Sequence, residues 1–408
     1  MTVEVHIEWR GTTTLVGNLH ATGRGQSVAF VYAAGWLGAA GAFAIDPTSL
    51  PLRPGPHHAG ELFGVVQDCG PDRWGRVLIE RAVRKLVLPK KPYRDMDYVL
   101  ALDDASRIGA LRFRMAGGPF LAATRGRLPP IVRLAALQQA ADAIHGETET
   151  AQDLRFLLGE GSPLGGARPK SAVSLADGRL AIAKFRRPDD TRDVAAGEIL
   201  ALSLAQAAGG AVAEHRLVTV ARHNVAVITR FDRAGASRIP FLSGASLLGA
   251  GVGDPGAYTR LADGIRQCGD DVQGDLGELW RRMVFSLLAS NSDDHLRNHG
   301  FLMHQPGRWS LSPAYDLNPV PEVERGRGNQ TPLSEEVGEP SIDQALGIAG
   351  RFGLKATAAK TILREVYVAV AGWRHLGQRL RLGKATLDAY ASAFEHAHLD
   401  ETRRLLRR

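Results

Sequence analysis

Two segments in the last third of the chain carry residue types suited to phosphoryl transfer. NSDDHLRN, residues 291–298, supplies Asp293 and Asn298, and AYDL, residues 314–317, supplies Asp316. Phosphoryl transfer needs a carboxylate that accepts the hydroxyl proton and oxygen ligands for a metal ion that offsets phosphate charge. Asp293 can act as the base, while Asn298 and Asp316 can hold Mg²⁺. The five-residue step from Asp293 to Asn298 is that of the D-x-x-x-x-N catalytic loop of kinases.

A glycine-rich turn upstream could accommodate phosphate. GSPLGGARPK, residues 161–170, contains Gly165 and Gly166, where the missing Cβ atoms let backbone N–H groups approach phosphate oxygens. Arg168 and Lys170 add positive charge. The segment does not fit the Walker pattern, and taken alone a Gly-Gly pair is usually just a turn.

The strands that follow this turn end in a lysine. SAVSLADGRLAIAKF indicates a hairpin around an Asp177-Gly178 turn, with Leu180, Ile182 and Lys184 on one face of the second strand. An ammonium group beside an apolar surface can reach phosphate while the surface covers an adenine ring. Lys184 is therefore a candidate for phosphate contact.

Two later segments could complete a nucleotide site. DVAAGEILALSLAQAAGG predicts a helix capped by Asp193 and ended by Gly209. Its Glu198 stands where kinases place the partner of the lysine, although a surface glutamate is the alternative. VAVITRFDR predicts a buried strand, after which the backbone of Thr229 to Phe231 can recognise adenine edges; strand packing explains the apolar residues equally well.

The acidic segments need rigid elements to bring them together. Apolar residues at helical spacing predict a core helix that ends at NSDDHLRN: Leu276, Leu279, Trp280, Met283, Val284, Leu287 and Leu288. GFLMH and RWSLSP flank a QPGR turn and predict a hairpin that returns the chain and presents AYDL.

The wider pattern predicts an α+β protein with a small β-rich N-terminal module and a two-lobed protein-kinase-like domain with a mostly helical C-terminal lobe. Short strands, ELFGVV among them, fill residues 1 to about 65, and a helix follows at 71–88. RGRLPP at 125–130 resembles a linker before a helix at 131–145. We predict three domains: an N-terminal module at 1–130, an N-lobe with the phosphate loop and lysine strand at 131–235, and a helical C-lobe with the catalytic loop and metal-binding Asp316 at 236–408.

Composition narrows the class of protein. At 408 residues the chain is too long for a single core, and no stretch of eighteen apolar residues could cross a bilayer. The N-terminus lacks a secretory pattern, and Cys69 and Cys268 form neither a disulfide framework nor a zinc motif. We expect a cytoplasmic protein with buried, reduced thiols and no membrane association. A net charge of +7 permits contact with polyanions without settling it.

A metal-dependent hydrolase is an alternative interpretation of the same residues. It would use Asp293, Asp294, His295 and His299, the two histidines being four residues apart. This interpretation leaves the lysine hairpin and the glycine-rich turn without a role, so the sequence favours phosphoryl transfer.

In these motifs the sequence resembles the HipA family, the serine/threonine kinase toxins of bacterial toxin–antitoxin pairs. FGVVQDCGPDRWGR resembles the signature of the family's N-terminal module, and GGARPK, AIAKF, ITRFDR, SDDHLRNHGFL and SPAYDL follow the order of its kinase motifs. The likeness covers nearly the whole chain.

The resemblance implies roles for individual residues. It places Gly165, Gly166, Ala167, Arg168, Pro169 and Lys170 in the phosphate loop, Lys184 on the ATP phosphates, and Thr229, Arg230 and Phe231 at the adenine. It also makes Asp293 the base, places His295 and Asn298 in the catalytic loop, and sets Tyr315 beside the Mg²⁺ ligand Asp316.

The resemblance further implies partners. These are a helix-turn-helix antitoxin of the HipB type, operator DNA bound mainly through that antitoxin, and protein substrates that include aminoacyl-tRNA synthetases. A catalytically silent kinase fold that binds antitoxin and DNA, and a kinase of small molecules, are the alternatives.

One departure from the family pattern concerns autoregulation. Family members commonly carry a serine just before the Leu-Gly-Gly stretch, and its autophosphorylation displaces the phosphate loop. This chain has Pro163 there, with Ser162 beside it. Either Ser162 is phosphorylated instead or only the partner controls activity, because proline has no hydroxyl group.

Overall fold

A computed structural model describes most of the chain, and the described residues form two compact units. The described ranges are 2–22, 27–122, 128–159, 168–251, 253–326, 331–336 and 339–407. The first unit comprises Met1–Asp190, Val218–Leu242 and Leu302–Gly307, and the second comprises Thr191–Leu217, Ser243–Phe301 and Arg308–Arg408.

The N-terminal part of the first unit is an antiparallel sheet with short helices. Its strands are β1 (Thr2–Trp9), β2 (Thr12–Thr22), β3 (Ser27–Tyr32), β4 (Pro56–Ala59) and β5 (Leu111–Arg114), in the order β4-β3-β2-β1-β5. The helices are α1 (Ala34–Leu37), α2 (Gly64–Asp68), α3 (Arg73–Arg84) and α4 (Asp95–Ala101). Alternation in β1 buries Val3 and Val5, as a half-buried strand requires.

The prediction of a strand at ELFGVV is wrong, because this segment runs into helix α2. The buried carboxylate of Asp46 accepts hydrogen bonds from the Val65 N–H (3.2 Å) and the Ser49 N–H (2.9 Å). One helix-terminal donor is thereby satisfied by a residue far from it in sequence. The following helix and its start were predicted correctly, since Asp72 caps α3 by accepting from the Gly75 N–H at 2.9 Å, but the helix ends at Arg84 rather than at residue 88.

A second sheet in the chain carries the lysine hairpin. Its strands are β6 (Lys170–Ser174), β7 (Leu180–Lys184), β8 (His215–Val220) and β9 (His223–Thr229), in the order β6-β7-β9-β8. Helices α5 (Leu134–His145) and α6 (Ala151–Gly159) supply side chains to its core. The predicted hairpin is confirmed, with Gly178 at φ 84° in the turn.

The core beneath this sheet is shared with the N-terminal module. Trp74 and Leu78 of α3 belong to the same buried cluster as Leu137 of α5 and Val173 and Ala183 of the sheet. The predicted domains 1–130 and 131–235 therefore lie mainly in one compact unit, and 236–408 lies mainly in the other.

Helices dominate the second unit. They are α7 (Val194–Ala207), α8 (Gly244–Leu248), α9 (Tyr258–Cys268), α10 (Val272–Leu288), α11 (Ile342–Gly347), α12 (Ala356–Ala371), α13 (Trp373–Arg379), α14 (Lys384–Ala389), α15 (Ala391–Phe394) and α16 (Ala397–Leu405). The predicted limits of α7 are confirmed. Asp193 accepts from the Ala196 N–H at 2.9 Å, and Gly209 follows the helix with φ 78°.

Short elements complete the fold. Strands β10 (Arg233–Ala234) and β11 (Ser237–Arg238) pair, and β12 (Phe241–Ser243), β13 (Gly300–Gln305) and β14 (Arg308–Leu311) form a sheet in the order β12-β13-β14. The 3₁₀ helices are Ile131–Arg133, Leu296–Asn298, Glu322–Glu324 and Ala349–Phe352. The β13–β14 hairpin is the one predicted from GFLMH and RWSLSP.

The α+β fold class is confirmed, with a β-rich N-terminal region and a helical C-terminal region. Cys69 and Cys268 are free thiols, the first buried and the second half-buried. Within the described ranges no helix combines the length and apolarity needed to cross a membrane.

Candidate functional site

Helix α10 delivers the NSDDHLRN segment from the core of the second unit. The whole predicted apolar stripe of this helix is buried, and Trp280 Nε1 donates to the carbonyl of Ala345 at 3.2 Å. Asp271 caps the helix by accepting from the Gly274 N–H at 3.0 Å. The helix ends at Leu288. At Ser290 the backbone is left-handed, with φ 49°, so the chain changes direction there. The acidic segment thus starts from a rigid support.

The segment that carries Asp316 is fixed by a backbone bridge. The Ala213 N–H donates to Ala314 O at 2.9 Å, and the Ala314 N–H donates to Ala211 O at 2.8 Å. Asp316 itself adopts a left-handed backbone, with φ 56°. Non-glycine residues seldom adopt this conformation, and Asp and Asn are among those that tolerate it best.

Three hydrogen bonds join the two acidic segments. The Asn318 N–H donates to Asn291 Oδ1 at 2.9 Å, and the Val320 N–H donates to Ser290 O at 3.0 Å. Tyr315 Oη donates to Arg297 O at 2.7 Å. The fold therefore brings Asp293, Asn298 and Asp316 into one neighbourhood, as the sequence predicted.

Asp293 has the environment of a proton acceptor. Its side chain is exposed. Partial desolvation raises the pKa of Asp293; His295 opposes this rise, and the negative charges of Asp316 and Asp294 add to it. A carboxylate with a raised pKa holds a transferred proton better than an ordinary aspartate does.

The oxygen donors present suit Mg²⁺. Asn298 is buried and its Nδ2 donates to Asp293 O at 3.4 Å, while Asn318 Nδ2 donates to Asp316 Oδ1 at 3.0 Å. Carboxylate and amide oxygens are hard ligands, and Mg²⁺ in phosphotransfer sites is commonly held by one or two side chains plus substrate phosphates. Asn298 and Asp316 would hold the ion in this arrangement.

The neighbouring carboxylate, Asp294, is buried and serves the fold. It accepts hydrogen bonds from Tyr258 Oη and from Ser286 Oγ (3.3 Å), and it lies 3.3 Å from His299 Nε2. Burial alone would raise the pKa of Asp294, but the nearby His299 and the hydrogen bond from Tyr258 outweigh it and lower the pKa. Its backbone carbonyl accepts from the Thr331 N–H at 3.0 Å.

These contacts disfavour the hydrolase interpretation. Asp294 and His299 face each other inside the core, and Tyr258 packs edge-on against the His299 ring at 5.2 Å. His295 and His299 flank the 3₁₀ helix Leu296–Asn298 rather than sharing one face of an α-helix. In the described part of the chain no three His, Cys, Asp or Glu side chains gather in a way that could hold a metal ion.

The described residues of the predicted phosphate-binding set lie in the first unit. Lys184 is half-buried at the end of β7, where it is paired in register with Lys170 and with Ala226. Arg168 forms a two-pronged ion pair with Asp190, both contacts at 2.7 Å. The Pro169 carbonyl accepts from the Phe185 N–H at 2.9 Å. Gly165, Gly166, Ala167 and the candidate modification site Ser162 lie outside the described residues.

Lys170 is buried and binds the N-terminal module. Its Nζ lies 3.2 Å from Asp72 Oδ2, and its carbonyl accepts from Trp74 Nε1 at 3.2 Å. Asp72 is also the cap of α3. The end of the predicted phosphate loop is therefore anchored to that helix.

The predicted adenine segment begins at Thr229, the last residue of β9. Thr229 is paired with Ala181, and the Arg230 N–H donates to Leu180 O at 2.8 Å. Phe231 is half-buried, with its ring centroid 6.5 Å from that of Phe241. Glu198 of α7 is buried, so the alternative of a surface glutamate is wrong.

Sequence reasoning missed several residues that shape the site. Asn291 and Asn318 hold the two acidic segments together, and Tyr258 holds Asp294. An asparagine two positions after an aspartate is a weak local signal for a side-chain turn. Nothing in the sequence marked Tyr258, which comes from a separate helix.

The site residues are divided between the units. Lys184 and Thr229–Phe231 belong to the first, and Asp293, His295, Asn298, Tyr315 and Asp316 belong to the second.

Comparison with known proteins identifies the family. The model of the HipA N-terminal domain matches residues 9–114, and that of the HipA-like C-terminal domain matches residues 162–373. The chain belongs to the HipA family. The first match lies in the β-rich N-terminal region, and the second includes the lysine-hairpin sheet and much of the helical C-terminal region.

Individual relatives agree with this membership. A Haemophilus influenzae protein named "Putative kinase" is 29% identical over 154 residues, which covers 33% of this chain and 45% of the relative. This match therefore spans less than half of the relative's length. The HipA of Shewanella oneidensis MR-1, solved with HipB and its operator DNA, aligns with a TM-score of 0.71 and 17% identity over 98% of this chain and 99% of that one. The chain thus has the HipA fold along nearly its whole length.

Proposed function

We propose that this HipA-family chain is an ATP- and Mg²⁺-dependent serine/threonine protein kinase that serves as the toxin of a toxin–antitoxin pair. The observation that carries the proposal is the gathering of Asp293, Asn298 and Asp316 by three hydrogen bonds between their segments. A protein contributes to phosphoryl transfer mainly by positioning the proton acceptor and the metal ligands.

Each residue has a defined part in the proposed reaction. The oxygen of a substrate serine or threonine attacks the γ-phosphorus of ATP, ADP leaves, and the hydroxyl proton passes to the Asp293 carboxylate. Asn298 and Asp316 hold the metal ion, which offsets charge on the phosphates. Lys184 binds phosphate oxygens from its strand, and the Thr229–Phe231 backbone holds the adenine.

The catalytic assignment is tested by Asp293→Asn. We expect this variant to lose roughly 10²- to 10⁴-fold in phosphoryl transfer, because the amide cannot take up the proton. The measurement is phosphate incorporation from labelled ATP into cell-lysate protein and into a metabolite mixture, which also separates protein from small-molecule substrates.

A matched control removes a carboxylate elsewhere in the same unit. Asp263 is exposed and paired with Arg266 and Arg351, so Asp263→Asn should keep full activity. Full transfer by Asp293→Asn would refute its role as the base. A wild-type protein that binds a helix-turn-helix partner but never transfers phosphate would favour the catalytically silent alternative.

The proposed partners follow from the family. The Shewanella oneidensis HipA was solved with HipB and operator DNA. By analogy we propose a helix-turn-helix antitoxin of the HipB type, operator DNA bound mainly through it, and protein substrates that include aminoacyl-tRNA synthetases. Phosphoproteomics after expression of the wild type and of Asp293→Asn would name the substrate.

A further inference from the structure

A buried ion pair, Arg230 with Asp232, lies in and next to the predicted adenine segment and forms hydrogen bonds to the N-terminal module, and both lie in the first unit. Arg230 is 7% exposed and Asp232 is 2% exposed. Burying charges is costly unless each is paired and hydrogen-bonded, so such a pair marks a place where geometry is tightly specified.

Arg230 is held on two sides. Its backbone N–H donates to Leu180 O of β7 at 2.8 Å. Its guanidinium donates to the backbone carbonyls of Ser106 and Arg107, the latter at 3.1 Å, and to Asp232 Oδ1 at 2.8 Å. The residue at the centre of the adenine segment thus has its backbone on the sheet and its side chain on the N-terminal module.

Asp232 forms a second connection. Its Oδ2 accepts from the Gly109 N–H and from Arg233 Nη1, both at 2.7 Å. Gly109 has φ 71°, and a Cβ atom there would lie 3.2 Å from the Cβ of Phe241. This contact therefore depends on a glycine in the N-terminal module, more than a hundred positions before Asp232.

We propose that Arg230 and Asp232 are positioning residues through which the N-terminal module sets the backbone of Thr229–Phe231 for adenine recognition. This inference rests on the proposed function, since ATP is the ligand assigned to that segment. Recognition through backbone N–H and C=O groups tolerates little displacement, because hydrogen bonds weaken steeply with distance and angle. The module would thereby control which nucleotide binds and how tightly.

A nearby arginine provides a matched control. Arg238 is 6% exposed and donates to the Asp104 carbonyl of the same module at 2.7 Å. It lies beyond the adenine segment in sequence. Arg238→Gln therefore removes a comparable buried contact without touching the backbone of Thr229–Phe231.

The experiment compares the affinities of MgATP and MgGTP for four full-length proteins by titration calorimetry: wild type, Arg230→Gln, Arg230→Lys and Arg238→Gln. We expect Arg230→Gln to weaken ATP binding about tenfold, within the usual range for coupling between sites. GTP binding should weaken less, so the preference for ATP falls. Arg230→Lys should be intermediate, because lysine keeps the charge but not the planar fork. Arg238→Gln should keep the wild-type preference.

The outcomes separate this inference from the proposed function. An unchanged ATP preference in Arg230→Gln, or an equal change in Arg238→Gln, would overturn the positioning role while leaving the kinase assignment intact. A wild type that binds neither nucleotide would overturn both. Partial unfolding of a variant lowers the apparent stoichiometry rather than the affinity of the folded fraction, so it does not imitate the expected result.

Discussion

Asn318 holds the carboxylate on which the proposed magnesium site depends. Its Nδ2 donates to Asp316 Oδ1 at 3.0 Å and to Asp316 O at 3.2 Å. Its backbone N–H binds Asn291 independently of the side chain. Replacing the side chain alone therefore removes these two hydrogen bonds to Asp316 and keeps the bond between the acidic segments.

We expect Asn318→Ala to raise the Mg²⁺ concentration needed for half-maximal activity by roughly 10- to 100-fold, the usual effect of losing a residue that orients a metal ligand. The measurement is kinase activity against Mg²⁺ at fixed ATP. Asn224→Ala, which removes an asparagine that accepts from Thr219 in the other unit, is the control. An Mg²⁺ dependence identical to that of the wild type would contradict the role of Asn318.

Adjacent residues show what the sequence could and could not reveal. The sequence predicted that the segment with Asp293 and Asn298 shares one site with the segment of Asp316, and hydrogen bonds do join these two segments. The spacing selected Asp293 over Asp294, but it did not show their environments: the first is exposed with a raised pKa and the second is buried with a lowered one. The difference comes from Tyr258, Ser286 and the surrounding core, which depend on the complete fold.

At the scale of elements, helix α16 is attached to the end of α10 by a histidine. His396 precedes α16, and its Nε2 lies 3.0 Å from the Leu288 carbonyl, the last residue of α10. Burial lowers the pKa of His396 to about 4; the Leu288 carbonyl opposes this shift, and the nearby His398 and Arg325 add to it. The ring is therefore neutral at pH 7 and donates to this carbonyl.

This contact should make stability depend on pH. Because the pKa of His396 is lower in the folded than in the unfolded protein, the unfolded state binds more protons below about pH 6.5, and stability falls as the pH drops from there toward 4. We expect the wild type to lose about 3 kcal/mol more than His396→Asn across this window, measured by urea unfolding at several pH values. His145→Asn, an exposed histidine of α5, is the control. Equal pH slopes in the wild type and His396→Asn would exclude this role.

Elements with strong local signals were predicted well. Helix α7 had an aspartate cap and a terminal glycine, and the β6–β7 hairpin had an Asp-Gly turn. ELFGVV carried only a short apolar run, which periodicity cannot assign to a strand or to a helix. Helix α2 is supported by a hydrogen bond from the Val65 N–H to the Asp46 carboxylate. Asp46 lies well before the segment in sequence, so a local pattern does not reveal this contact.

At the scale of the whole molecule, the predicted boundary near residue 130 did not reveal a shared core. Trp74 and Leu78 of the N-terminal module lie in the same buried cluster as the strands of the lysine hairpin. A linker of prolines and arginines indicates a change of element, but it does not show which elements share one core. The first two predicted domains fall mainly in one compact unit for this reason.

Nucleotide binding should stabilise the whole chain by mass action. At 100 times its dissociation constant, MgATP is expected to add about 2.7 kcal/mol to the free energy of unfolding. Chemical denaturation with and without MgATP measures this. Asp293→Asn should keep the stabilisation, since Asp293 is proposed to accept a proton rather than to bind nucleotide, and Lys184→Met should reduce it. No stabilisation of the wild type would contradict ATP as its ligand.

The left-handed backbone of Asp316 limits which substitutions the position can accept. Asparagine and glycine adopt this conformation readily, whereas valine or isoleucine would force the chain to rearrange. A relative that loses its enzymatic role could therefore drift to Asn or Gly here and still fold. The single substitution Asp316→Asn should therefore give an inactive but well-folded protein, which can be used to capture its partners.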